Sequence, residues 1–205
     1  MSNLNGSTPS RIGFFGGSFD PIHNGHLFII EKFIQNFELD LLLLCPAYQA
    51  PLREQKAIFN PTQRLEMARL IAHSNQKLEV FDFEINQPKM SFTYETIQEI
   101  KKGYPKSKIF LAIGLDQFEK LSTWRWIREL SKEVHFIVFA RGQINAPAAS
   151  ILDIQYTFIQ NPLIDISSTQ IRKRLQQGES VAQWIPDEII SYLEKNNLLR
   201  KKDTS

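Results

Sequence analysis

The chain of 205 residues has one cysteine, Cys45, and only four histidines. A single thiol excludes an intrachain disulfide framework and suits a reducing compartment, so a cytoplasmic location is expected. No apolar run approaches the roughly 20 residues that a bilayer span requires. The opening residues, MSNLNGSTPS, lack the basic and apolar regions of a secretion signal. Neither sign of charge dominates: 24 Lys and Arg face 22 Asp and Glu, for a formal net charge of +2. That balance excludes a general nucleic-acid coat and leaves room for a local basic pocket that holds a small polyanion. Internal repeats and Pro/Gly/Ser-rich linkers are also missing. One domain over residues 11–200, with tails at 1–10 and 201–205, is therefore expected, its apolar content of 42% ordinary for a globular chain.

What is present is alternation. Residues 12–15, 41–45, 108–114 and 134–140 are short apolar, β-branched or leucine-rich runs that read as buried strands, with weaker candidates at 78–83 and 156–160. Between them lie stretches of helical spacing. Residues 25–37 set Leu27, Ile30, Phe33 and Ile34 on one face. Helices are also expected over 61–73, over 93–103 with a closing glycine, over 168–178, and over 186–196 with proline in the first turn. Residues 142–154 read as a surface loop. Strand–helix alternation predicts an α/β fold with a doubly wound parallel sheet, whose ligands bind beyond the carboxyl ends of the strands.

Two of the four histidines stand three residues apart, directly after the first strand, in GGSFDPIHNGH (residues 16–26). Gly16 and Gly17 permit a tight turn and a close backbone approach. Asp20-Pro21 is a turn signal, and Phe19 and Ile22 are suited to anchor the loop in the core. Three roles compete for His23 and His26. They could serve the fold through hydrogen bonds, or share a metal, which would need a third ligand that no nearby Cys/His/Asp spacing supplies. They could instead donate hydrogen bonds to a phosphate held at a helix N-terminus. Only the last role uses the glycines, the turn and both histidines together.

This stretch resembles the G-x-F-D-P-x-H-x-G-H signature of the HxGH nucleotidyltransferases, which have a Rossmann-like fold. Class I aminoacyl-tRNA synthetases share H-x-G-H but are much longer. Their K-M-S-K-S loop is broken here, since Phe92 and Thr93 follow Lys89-Met90-Ser91. A second motif stands late in the chain. Asp165-Ile166-Ser167-Ser168-Thr169-Gln170-Ile171-Arg172 combines an N-cap signature with an arginine one turn inside the helix. Read alone, it is either a capped surface helix or a place where hydroxyls, amides and a guanidinium converge on phosphate. It resembles the I-S-[ST]-T-x-I-R motif of the same nucleotidyltransferases, which grips the β- and γ-phosphates of the donor.

Between these motifs lies the acceptor signal. In AIGLDQFEKLSTWRWIREL (residues 112–130) a strand ends at Gly114, Asp116 follows, and Trp124 and Trp126 come close behind. Packing under a loop accounts for Trp126. An exposed indole at Trp124 could stack on a flat ring, and a carboxylate at a strand end commonly holds ribose hydroxyls. The pattern resembles bacterial nicotinate-nucleotide adenylyltransferases, with residues 89–93 loosely matching their P-S-Y-T segment and Arg141-Gly142 their strand-end Arg-Pro-Gly. The likeness runs from about residue 11 to 200. Two departures stand out: Leu52 replaces the histidine of P-P-H-[KR], and the proline after Arg141 is missing. The R-T-x-G-I-S-T lead-in of cytidylyltransferases is absent.

Carried over, the resemblance implies adenylyl transfer from ATP to nicotinate mononucleotide, with Mg²⁺ arriving on the triphosphate. His23, His26 and Arg172 would be the catalytic groups. Gly16, Gly17, Ser18, Phe19, Ile166, Ser167, Ser168, Thr169 and Arg141 would hold the donor phosphates. Asp20, Arg53, Thr93, Gly114, Asp116 and Trp124 would serve the acceptor and the riboses. Beside polyphosphate both imidazoles would tend toward the charged form. Choice between acid and amide forms of the acceptor would fall to the backbone around Thr93 and Trp124. The alternatives are a relative that takes nicotinamide mononucleotide, phosphopantetheine or a cytidylyl donor, and a nucleotide-binding regulator without turnover.

Overall fold

The computed structural model describes residues 8–51, 57–141, 154–161 and 166–199. Six strands form one sheet in the order β3-β2-β1-β4-β5-β6, every neighbouring pair parallel. In chain order these are β1 (Arg11–Gly17), β2 (Leu41–Pro46), β3 (Leu78–Val80), β4 (Lys108–Gly114), β5 (Val134–Arg141) and β6 (Tyr156–Asn161). The helices are α1 (Asn24–Asn36), α2 (Pro61–Ala72), α3 (Thr93–Gly103), α4 (Leu115–Glu119), α5 (Ile127–Glu133), α6 (Ser168–Gln176) and α7 (Asp187–Lys195). This is the doubly wound α/β sheet expected from the alternation, and among the described residues no helix is long and apolar enough to cross a membrane.

Side chains alternate across each strand, and the two faces carry separate cores. Phe15, Leu42 and Leu44 meet residues of α1, α2, α6 and α7, such as Phe33, Met67, Ile171 and Ile189. Ile12, Phe14, Leu41 and Leu43 meet α3, α4 and α5 through Ile97, Ile100, Phe118 and Leu130. Burial on both faces explains why the strands read as continuous apolar runs. Cys45 lies wholly within the second core, and burial pushes its thiol well above the ordinary value, with Glu84 adding to the effect.

Several boundaries differ from the sequence reading. β3 stops at Val80 rather than 83 because Phe81 leaves the ladder after one last backbone bond to Leu44. Gly103 is the last residue of α3, and Tyr104 caps it without a left-handed turn. Pro186 stands at the N-cap of α7, outside the helix. Short α4 and α5 break residues 115–133, where periodicity is too brief to announce them. Of the expected 142–154 loop only Ile154 lies among the described residues.

One irregularity positions the site. β1 and β4 pair from Arg11↔Lys108 to Phe14↔Leu111 and no further, although each continues for three residues. Beyond Phe14 and Leu111 the two strands splay apart. They are also where the sheet order reverses direction, so the crevice opens at the topological switch point.

Candidate active site

Into this crevice opens a cavity of about 530 Å³. It is lined by Phe14 and Leu111, by Gly16 and Gly17 at the end of β1, and by Ser18 just after them. His26 closes one side, and Thr93, Asp116 and Trp124 form another. Residues of the glycine–histidine motif and of the segment that ends in Trp124 thus share one space, which the second motif does not line among the described residues. A volume of this size suits a ligand as large as a dinucleotide.

The glycine–histidine loop is built from the core outward. Gly16 and Gly17 are the last residues of β1 rather than a turn beyond it, paired with Cys45 and Pro46. Phe19 and Ile22 are buried, as expected, and Phe19 takes a left-handed conformation (φ 46°) that sends its ring back against Phe15 and His26. The Asp20-Pro21 bond is cis. His23 is the N-cap residue of α1, and the imidazoles of His23 and His26 stack with centroids 3.7 Å apart.

Gly25 lets the His23 ring of that stack pack close to the helix. A Cβ there would lie 3.0 Å from His23 Cε1 and 3.1 Å from its Nδ1. The space beside this glycine is taken by the His23 ring. His23 is accordingly 4% exposed, and it is His26 that faces the cavity. The backbone N–H of His23 donates to His26 Nδ1 at 3.2 Å, which places the proton of a neutral His26 on Nε2. His26 can therefore donate without being cationic.

The second motif docks on the same loop. Ser167 caps α6, its hydroxyl accepting from the N–H of Gln170, whose side chain returns to the Ser167 N–H. Ser168 Oγ donates to the carbonyl of Pro21 at 3.3 Å. Arg172 donates to the carbonyl of Asp20 at 3.1 Å and to Thr169 Oγ1 at 3.0 Å. The start of α6 thus lies against the turn that delivers His23, although the two motifs are about 150 residues apart, as the Asp20–Arg172 separation of 152 records. Ile166 and Ser167 line a second, smaller cavity of about 220 Å³ beside Trp184.

Asp20 corrects the sequence reading. An acceptor or ribose contact was expected of it, but its carboxylate is 1% exposed and accepts from the backbone N–H groups of Ile58 (3.2 Å) and Phe59 (2.9 Å). Arg172 Nε lies 3.8 Å away. So enclosed, Asp20 holds the loop and steers Arg172. On the acceptor side, Gly114 caps α4 and its missing Cβ leaves space for the Asp116 carboxylate, which would otherwise stand 2.6 Å away. Trp124 is half-buried with its Nε1 in the protein, so the part of the ring reaching solvent is carbon surface. Trp126 packs against Phe92 and Tyr94, as its packing role anticipated. Arg53 and Leu52 lie outside the described residues, and of Arg141 only its place at the end of β5 is described.

A family model described as cytidylyltransferase-like matches residues 14–174, which span both phosphate motifs. Among curated relatives, a "Probable nicotinate-nucleotide adenylyltransferase" of Exiguobacterium sibiricum is 34% identical over 191 residues, covering 92% of this chain and 98% of the relative. One of the same description from Roseiflexus castenholzii is 34% identical over 200 residues, covering 94% of this chain and all of its own. The chain belongs to the nicotinate-nucleotide adenylyltransferase family. Its fold is that of the Plasmodium falciparum nicotinic acid mononucleotide adenylyltransferase complexed with NaAD, with a TM-score of 0.78 at 23% identity over 93% of this chain and 97% of that one.

Within this adenylyltransferase fold Arg64 and Glu84 are among the residues of the site that the sequence reading did not mark. Arg64, 2% exposed, extends from α2 and donates to the carbonyls of Ser18 (2.8 Å), Ala47 (2.6 Å), Tyr48 (3.0 Å) and Phe59 (3.3 Å). It joins Ser18, just beyond β1, to the segment after β2. A signal existed: Arg64 falls on the apolar stripe with Met67, Ala68 and Ile71, and a cation there must find buried acceptors. Glu84 also lines the cavity, buried, with Thr96 Oγ1 donating to it at 2.6 Å. Burial raises its carboxyl above the ordinary range. No local pattern announces it.

Proposed function

We infer that this chain transfers the adenylyl group of ATP to nicotinate mononucleotide, forming deamido-NAD and pyrophosphate. The observation that carries this reading is the shared cavity. Gly16, Gly17, Ser18 and His26 line the same cavity as Trp124, Thr93 and Asp116, so a triphosphate and a pyridine nucleotide would meet in one space.

An oxygen of the acceptor's 5′-phosphate attacks the α-phosphorus, and the bond from that phosphorus to the bridging oxygen of pyrophosphate breaks. The nucleophile is already anionic near neutral pH, so neither a general base nor a covalent enzyme intermediate is needed. Alignment and stabilisation of developing charge suffice. His26 donates through Nε2 to the transferring phosphate. His23 holds the stack that aims it. Arg172, with the amides opening α6, receives the leaving pyrophosphate. Trp124 stacks on the pyridine ring, Thr93 meets the nicotinate side and Asp116 holds a ribose. Mg²⁺ arrives as part of the ATP substrate, carried by phosphate and water. The nearest acid in the loop, Asp20, is occupied by backbone N–H groups.

The test is pyrophosphate release with MgATP and a panel of acceptors: nicotinate mononucleotide, nicotinamide mononucleotide and phosphopantetheine. Turnover should be fastest with the first, with intersecting double-reciprocal lines and inversion at the α-phosphorus. Parallel lines with an adenylylated protein would contradict direct transfer. Absence of turnover with every acceptor would favour a regulator.

A further inference from the structure

The acceptor side of the cavity carries a cation to which no role has been assigned. Arg125 follows Trp124 directly and lines the cavity together with Phe92 and Thr93. Its guanidinium carbon lies 4.0 Å from the centroid of the Trp126 ring and 5.0 Å from that of Phe92. Two aromatic rings thus restrict a planar group on a side chain that is otherwise exposed and flexible. Trp126 is itself set by the backbone, which takes a left-handed turn there (φ 58°) at the N-cap of α5.

The surroundings of this guanidinium are short of negative charge. Among the described residues no carboxylate pairs with it. Glu95, the acid in the first turn of α3, is held by Lys89 at 2.9 Å. Glu84 and Asp116, the acids of the cavity wall, do not reach Arg125 within ion-pair distance, and Glu84 is buried with Thr96. Phe92, against which the guanidinium rests, is the N-cap of α3 and offers no side-chain cap, so the positive start of that helix adjoins the same place. A cation and a helix N-terminus come together beside Trp124, facing a cavity.

We propose that Arg125 is the residue that selects a pyridine carboxylate over the corresponding carboxamide. This rests on the adenylyl-transfer reading above, in which the acceptor ring stacks on Trp124. A ring so placed lies in the cavity whose wall Arg125 shares with Trp124, Phe92 and Thr93. A carboxylate offers two acceptor oxygens and a charge to the guanidinium fork. A carboxamide offers one oxygen and an NH₂ group that the guanidinium cannot bind.

The experiment compares kcat/KM for nicotinate and nicotinamide mononucleotides, at saturating MgATP, in the wild type, Arg125→Gln and Arg125→Lys. Arg125→Gln should lower the value for the acid by about 10- to 100-fold, the range of one lost charge-assisted hydrogen bond, and leave the amide within about twofold. Arg125→Lys, which keeps charge without the fork, should fall between. Titration by intrinsic tryptophan fluorescence, without ATP, should show the same loss of affinity for the acid alone. Equal losses for both acceptors would mean that Arg125 only supports the Trp124 and Phe92 wall, and would overturn the proposal. Unchanged selectivity would overturn it too. A wild type that adenylylates neither mononucleotide would instead overturn the functional reading beneath it.

Discussion

Gly25 illustrates how much one missing carbon can set. Alanine is intrinsically the better residue within a helix, by roughly 1 kcal/mol. Here a Cβ would press on the His23 ring at 3.0 Å, and that ring is the platform on which His26 stacks at 3.7 Å. Gly25→Ala should therefore leave thermal stability unchanged or slightly raised while lowering kcat by about 10-fold or more, short of the full loss of an oxyanion donor. The same substitution made in a His23→Ala background should cost little, because the ring it displaces is gone. Full additivity of the two losses would show that Gly25 acts through something other than His23.

At the scale of elements, the site is a junction of segments that do not continue one another. α2 reaches it through Arg64, whose guanidinium binds carbonyls of Ser18, of the segment after β2 and of Phe59. α6 reaches it through Ser168 and Arg172, both bonded to backbone oxygens of the Asp20-Pro21 turn. Arg64→Met would fill most of the volume but leave several carbonyls without their donor. A loss of about 3 kcal/mol is expected, or roughly 6–12 °C in Tm for a chain of this length. Because Ser18 and Ala47 line the cavity, KM for ATP should rise as well. A Tm within a degree of the wild type would show that water replaces the guanidinium at no cost.

For the whole molecule, the buried acid on the cavity wall links stability to pH. Burial raises the Glu84 carboxyl above its ordinary 4.5, so the native chain holds this proton more tightly than the unfolded one. Between 4.5 and the raised native value the folded state carries the extra proton, and stability falls as pH rises through that window. Glu84→Gln keeps an acceptor oxygen for the Thr96 hydroxyl and abolishes the titration. In denaturant unfolding from about pH 4.5 upward, the stability difference between variant and wild type should grow in the variant's favour as pH rises. A difference that stays constant with pH would show that Glu84 ionises alike in both states.

The six strands, the five longer helices and the two motifs at residues 16–26 and 165–172 could be read from the sequence because they rest on local physics: apolar runs buried on two faces, glycine at a close approach, serine at a helix start. Trp124 and Asp116 were legible for the same reason, as residues at the end of a recognisable strand. The sequence could not tell that Asp20 faces two backbone amides rather than a ribose, since Ile58 and Phe59 lie nearly forty residues away, at separations of 38 and 39. Nor could it tell that β1 and β4 part after Phe14 and Leu111, because register belongs to the pair of strands and not to either one. Chain composition and motif thus determined which chemical groups this protein has available. Only the tertiary structure decided which of them face the crevice, because the contacts that turn a side chain inward or outward are made with residues distant along the chain.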